Sequence, residues 1–257
     1  MNSTKTTTEL KSIARELLLG KYGSYILALV CIEMIILVLS SVISVVTAGE
    51  ALWAMILNLL LTIILELIGA VFSVGLIRFT LNISRNQPYE LKDIFYGFTC
   101  HPDKAIISKF LLFLMDFVCV LPAILFFILY YIAPDTAFLM VIASLLLVIG
   151  GVISVILHMT FDMVFYTLVD YPDATVMELF RYCANVMKGD RVKLFYLIVS
   201  FLPLYALSIL SFGIGLLFVI PYQNVAIAQF YQDVFYITEV DETEMESEDS
   251  YESMDLA

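Results

Sequence analysis

Long unbroken apolar runs dominate this chain, and polar residues gather between them. The runs fall at residues 25–46, 51–83, 105–133, 136–169, 194–211 and 213–235. A helix rises about 1.5 Å per residue and bilayer hydrocarbon is roughly 30 Å thick, so about 20 apolar residues suffice to cross. The runs do not alternate in the manner of barrel strands. In hydrocarbon the backbone must satisfy its own hydrogen bonds, which makes the spans helices. The pattern predicts an all-α membrane bundle of six transmembrane helices, with residues 1–237 as one domain and both termini on one side.

The segments between the runs carry a different period. Leu10, Ile13, Ala14, Leu17 and Leu18 repeat at helical spacing before the first run. Leu91, Ile94, Phe95 and Phe98 do so before the third, and Val176, Leu179, Phe180, Cys183 and Met187 before the fifth. Each set predicts an amphipathic helix lying at the cytoplasmic interface. Thr6 with Glu9 reads as a capping box, Pro88 as a first-turn proline and Asp173 as an N-cap. Gly20, Gly97 and Gly189 stand where helices would stop. Interfacial helix followed by helical hairpin thus recurs three times as a structural unit.

Composition agrees with a lipid solvent. Of 257 residues, 61% are hydrophobic and 15% charged, with mean hydropathy +0.96. All 13 Lys and Arg lie before the first run, around the 83–105 connection or around the 169–194 connection. The opposite connections carry none, so the basic side, with both termini, is expected to be cytoplasmic. Trp53 then falls at the outer interface. The first run is too long for a cleaved signal and reads as an uncleaved anchor. No Cys lies in an outer connection, so free thiols are expected. Residues 238–257 hold nine acids and no base, which predicts a disordered acidic tail. The rest of the chain carries only −3 of the net −12.

Several short motifs resemble a known family. They are Phe95-Tyr-Gly-Phe98, Val186-Met-Lys-Gly189, Phe195 with Ser200-Phe201, and Gly213-Ile-Gly215 through Pro221-Tyr222 to Phe230-Tyr231. In this order they are similar to the bacterial membrane family called domain of unknown function nine-seven-five. The chain departs from that pattern at Ala123, where glycine is usual, and at Leu204-Tyr205, where tryptophan is frequent. The resemblance implies a six-helix protein of the bacterial cytoplasmic membrane and no particular activity.

Candidate chemistry rests on ionisable residues inside the runs: Glu33, Glu66, Asp116 and Asp162, with His158 one turn before Asp162. Glu33 lies about 12 Å from the inner end of its run, Asp116 about 10 Å past Lys109, and Glu66 about 22 Å from its outer end. Asp162 falls at the inner boundary, about 37 Å from the outer end of its run. Intramembrane acids cost about 2.5–3.5 kcal/mol at mid-bilayer, so they need a reason to be there. One reading is a cytoplasm-facing cavity that binds a cation or proton, with Glu66 and Asp116 facing the interior and Gly69 allowing close helix approach. The other is that each acid is satisfied by neighbouring Ser, Thr or Tyr. Pro122, Pro203 and Pro221 mark kinks that line a cavity or are merely tolerated by neighbours.

No HExxH, GxSxG or Walker loop is present, and Cys100-His101 is two ligands short of a zinc site. The expectation is therefore a non-enzymatic protein without metal or cofactor. Its expected partners are the lipid bilayer and a membrane or cytoplasmic protein, not nucleic acid. An organising, sensing or accessory role at the envelope leads. The rival is a transporter or channel for a cation or small solute, proton-coupled through the acids.

Overall fold

The computed structural model describes residues 5–49, 51–132 and 136–255, with side chains as far as Tyr236. Among the described residues every regular element is helical. They are α1 (Thr7–Leu18), α2 (Tyr22–Val46), α3 (Leu52–Ser84), a 3-10 turn (Leu91–Phe95), α4 (Tyr96–Thr99), α5 (Pro102–Ile132), α6 (Ala137–Phe161), α7 (Met163–Asp170), α8 (Val176–Val186), α9 (Arg191–Val199), α10 (Leu202–Leu210) and α11 (Leu216–Asp255).

Among the described residues five stretches are long and apolar enough to cross a membrane: Tyr22–Val46, Leu52–Ser84, Pro102–Ile132, Ala137–Asp170 and Arg191–Leu210. The fourth turns at Asp162 between α6 and α7, and the fifth breaks at Ser200–Phe201 between α9 and α10. The sixth apolar run becomes the first part of α11, whose Gln223, Asn224, Gln229, Gln232 and Asp233 dilute its hydropathy. The helix continues to Asp255, through most of the segment for which the sequence predicts disorder. Extending an existing helix needs no new nucleus, which is why the backbone can run on.

Burial is concentrated at one end of the bundle. In α2 the buried residues are Tyr25, Ala28, Leu29 and Ile32, all in its first half. In α3 they lie between Ala70 and Ser84, apart from Ala54. Between Val225 and Phe235, α11 is buried almost all round, as befits a central helix. Against it pack α1, α3, α7, α8 and α9. The far halves of α2, α3, α5 and α6 instead expose Leu37, Val42, Leu59, Leu125 and Val148. Antiparallel register of α2 and α3 is set by Tyr25 Oη to Thr80 Oγ1 at 2.6 Å and Asn58 Nδ2 to Thr47 Oγ1 at 2.7 Å.

The three short helical segments lie where the periodicity places them, with different caps. Thr6 and Glu9 form the expected box on α1. The 3-10 turn is capped by Glu90 with Asp93 rather than opened by Pro88. On α8 the cap is Thr175 with Glu178, not Asp173, because only Thr175 has Glu three residues on to complete the reciprocal pair. Gly20 and Gly189 end α1 and α8 at φ 77° and 98°. Gly97 does not end its helix. A Cβ there would stand 2.1 Å from the Val71 carbonyl oxygen, and one on Gly75 would stand 2.0 Å from that of Ile94. These two glycines let the 3-10 turn and α4 lie directly on α3.

Candidate functional site

The polar heart of the spans lies between α5 and α6. Gly150, Ser154 and His158 recur every fourth residue on α6, so they share one face, and that face meets Asp116 and Cys119 of α5. His158 Nε2 lies 2.9 Å from Asp116 Oδ2, and its Nδ1 lies 3.0 Å from Asp162 Oδ1. The Ser154 hydroxyl donates to the other Asp116 oxygen. Asp162 sits at the turn between α6 and α7, which returns its carboxylate to the ring. The result is a linear carboxylate–imidazole–carboxylate array. Only an imidazolium can donate both hydrogen bonds at once.

This array flanks an open-sided cavity of about 650 Å³. Glu66, Ser73, Lys109, Ser154, His158 and Asp162 supply its polar lining, while Met159, Phe165, Tyr166, Leu194, Ile198 and Ile227 supply apolar wall. Glu66 of α3 lies 4.0 Å from the Lys109 ammonium of α5. Its side chain is 70% exposed, so Glu66 is not enclosed in the bundle interior as the sequence suggests but stands at the open side of the cavity. Gly69 makes no close helix contact, since nothing lies within 4 Å of where its Cβ would be. It lines the cavity, and its missing side chain widens it.

Four of the five candidate residues therefore converge. Glu66, His158 and Asp162 line the cavity, and Asp116 bonds directly to His158. Glu33 does not join them; it is exposed on α2, away from the lining. The three prolines do not line the cavity either. Pro122 and Pro221 sit within α5 and α11, and Pro203 sits in the first turn of α10.

Both ring nitrogens of His158 face carboxylates, which leaves neither lone pair free for a metal. Among the described residues no group of three His, Cys, Asp or Glu side chains could hold a metal ion. The Ser154 hydroxyl is committed to Asp116, so it forms no hydroxyl–imidazole pair of the kind a nucleophile needs. All four cysteines are free thiols.

Ser73, Ser154 and Lys109 are site residues that sequence reasoning missed. Ser154 was legible as the residue four before His158, and Lys109 as the residue seven before Asp116, two turns along the same helix. A second polar knot was also missed. Arg85 at the end of α3 clasps Asp170 at the end of α7 with two bonds, at 2.8 and 2.6 Å, and Tyr231 of α11 donates to the same carboxylate at 2.9 Å. Beside it, Gln229 donates to the Ser84 carbonyl and hydroxyl, at 3.1 and 2.6 Å.

Several apolar helices of membrane-crossing length around a polar cavity define the class: an all-helical protein of membrane type. Residues 1–236 match the family described as protein of unknown function DUF975, and the chain belongs to that family, as its motifs suggest. No curated protein and no solved structure matches the chain.

Proposed function

We propose that this is a non-enzymatic multi-pass protein of the bacterial cytoplasmic membrane, with both termini cytoplasmic, that exchanges a cation for a proton in its lateral cavity. The Asp116–His158–Asp162 array carries this reading. With an imidazolium between two carboxylates the array holds one net negative charge. Loss of the His158 proton leaves two, and an entering cation restores the balance. The Glu66–Lys109 pair at the same cavity is neutral as a unit and can open to place Glu66 against the incoming charge. The apolar wall suits a small organic cation as well as a bare ion.

The test uses the whole protein in liposomes containing a pH-sensitive dye. Imposed gradients of sodium, potassium or a small quaternary ammonium ion should drive proton movement that empty liposomes do not show. Asp116→Asn and His158→Ala should abolish it, while Glu33→Gln, outside the cavity, should not. Absence of any cation-driven proton signal from folded, reconstituted protein would sink the transport reading. The second reading is an organising or sensing role. It draws on α1 and α8, whose outward faces keep Glu9, Arg15, Glu178 and Arg181 exposed for a partner.

A further inference from the structure

The stretch Arg191–Leu210 has the length and composition to cross a membrane, yet its neighbours are those of an interface. Its middle is broken at Ser200–Phe201. There the Lys11 ammonium donates to the Ser200 carbonyl at 3.0 Å and hydroxyl at 3.3 Å, and it rests 4.4 Å from the centre of the Phe201 ring. Were Arg191–Leu210 a straight crossing, Ser200 would lie about 13 Å inside the hydrocarbon. Lys11 would be there too. So would Arg15 and Glu16, which line the same pocket with Ser200. Charged side chains are expelled from that depth unless a wet cavity or partner receives them.

The same holds for α11. Helix α1 runs along its 218–233 stretch, with the Lys5 backbone N–H donating to Asp233 at 3.2 Å and Tyr22 meeting Phe218 at 6.0 Å between ring centres. Every turn of α11 between those residues is therefore flanked by a helix whose outer face shows Glu9, Ser12, Arg15 and Glu16. Moreover, the hydrogen bonds and ring contacts that α11 makes to α2 and α3 fall at one end of those helices. Phe218 touches Tyr22 at the start of α2, and Gln229 and Gln232 bond to Ser84 at the end of α3. A crossing helix would follow its neighbours outward, as α2 and α3 follow each other from Tyr25–Thr80 to Thr47–Asn58.

Beyond this charged belt the hairpin turns apolar. Leu207, Ile209, Leu210, Phe212 and Ile214 at the α10–α11 turn are 63%, 73%, 78%, 100% and 64% exposed. From Ser200 to the turn, α10 reaches about 13–15 Å, less than half of a roughly 30 Å hydrocarbon core.

We infer that α9–α11 do not cross the membrane. The α10–α11 turn is a wedge that enters one leaflet from the side bearing α1, and its occupant is that leaflet's acyl chains. Lys11 and Arg15 then stand at headgroup level, the arrangement of an amphipathic element at an interface. Four helical stretches cross: α2, α3, α5 and α6–α7. The chain ends still share a side, because a wedge changes no parity. This replaces the six-crossing expectation and is independent of the cation-exchange reading.

Sidedness of Phe212 decides it. Single cysteines at Phe212, Ala48 and Lys188, in a chain whose four native cysteines are changed to alanine or serine, are treated with a membrane-impermeant maleimide. Right-side-out vesicles should label Ala48→Cys but not Phe212→Cys. Inside-out vesicles should label Lys188→Cys, again leaving Phe212→Cys at background. Labelling of Phe212→Cys from the outer face would restore the crossing, and labelling from the inner face as fast as Lys188→Cys would mean a solvated turn. The native cysteines can be kept in a second measurement on Trp53→Phe/Phe212→Trp. Its indole emission should be blue-shifted and quenched by lipids brominated on the acyl chain. Emission of a water-exposed indole, quenched by acrylamide instead, would overturn the wedge.

Discussion

Gly150 of α6 lies directly against the Cys119 carbonyl of α5: a Cβ on that glycine would stand 2.4 Å from the carbonyl oxygen. The contact is to backbone, which cannot rotate away. Ser154 and His158 follow on the same face, so the glycine sets how closely their partners on Asp116 approach. Gly150→Val should force α5 and α6 apart and cost about 1–3 kcal/mol, the usual penalty for overpacking. Thermal unfolding in detergent checks the loss of stability. Gly151→Val is the control, since nothing lies within 4 Å of its missing Cβ.

The Arg85–Asp170 pair should matter more than a surface ion pair. Its two parallel hydrogen bonds and the Tyr231 donor fix three helix ends at one point. The side chains are 32% and 20% exposed, so screening lowers their worth. Asp170→Asn should cost about 1–3 kcal/mol, the range for hydrogen bonds to charged groups. Arg85→Lys should not rescue it, because a point charge cannot make the forked contact. Tyr231→Phe should cost less than either. Midpoints of thermal unfolding give the order.

Two helix caps give a pH dependence of known sign. Glu9 and Glu178 each accept hydrogen bonds from the cap residue, Thr6 and Thr175, and those bonds hold both carboxyls below the usual carboxylate range. A depressed folded value means the stabilisation is fully present above the unfolded carboxylate value and is lost as pH falls through the folded one. Stability should therefore decline as pH drops below about 4.5, the ordinary glutamate range. In Glu9→Gln/Glu178→Gln, where the box persists without a titrating group, the decline should be shallower. Unfolding midpoints between neutral and acid pH compare the two proteins.

The Cys183 thiol on α8 should be inert. Burial pushes it up to about 12, and the side chain has no exposed surface. A small alkylating reagent near neutral pH should leave Cys183 unmodified in the folded protein. Modification should follow unfolding in strong detergent, read by mass spectrometry of the 176–186 peptide.

The legible and illegible parts divide by the range of the interactions. The apolar runs, the Thr6–Glu9 box and the stops at Gly20 and Gly189 are local, and each stands where the residues place it. His158 with Asp162 was legible for the same reason, as neighbours one turn apart. What joins Asp116 to them is the packing of two helices 42 residues apart in sequence, and no periodicity encodes that register. Glu33 illustrates the converse: its depth resembles that of Asp116, yet only the packing could tell that it points elsewhere. The break at Asp162 was hidden inside an apolar run with no glycine or proline beside it, whereas Pro203 in the first turn of α10 was a start signal for the break at Ser200. The last run was read by its hydropathy alone, although its glutamines pair with Ser84 and its aspartate with the Lys5 backbone.

That last contact has a consequence for how the protein is made. The Lys5 backbone leaves the ribosome 228 residues before its partner Asp233. The packed layer around α11 cannot close until α11 itself has been made. Until then α2, α3, α5 and α6 must wait without it, with Ser84, Tyr166 and Tyr182 lacking their α11 partners Gln229, Tyr231 and Phe235. Chains stopped before Leu216 would still insert, yet they would present an unfinished surface to the proteases that survey nascent membrane proteins. Assembly of this layer is thus gated by α11, and without it the cell holds a substrate for disposal.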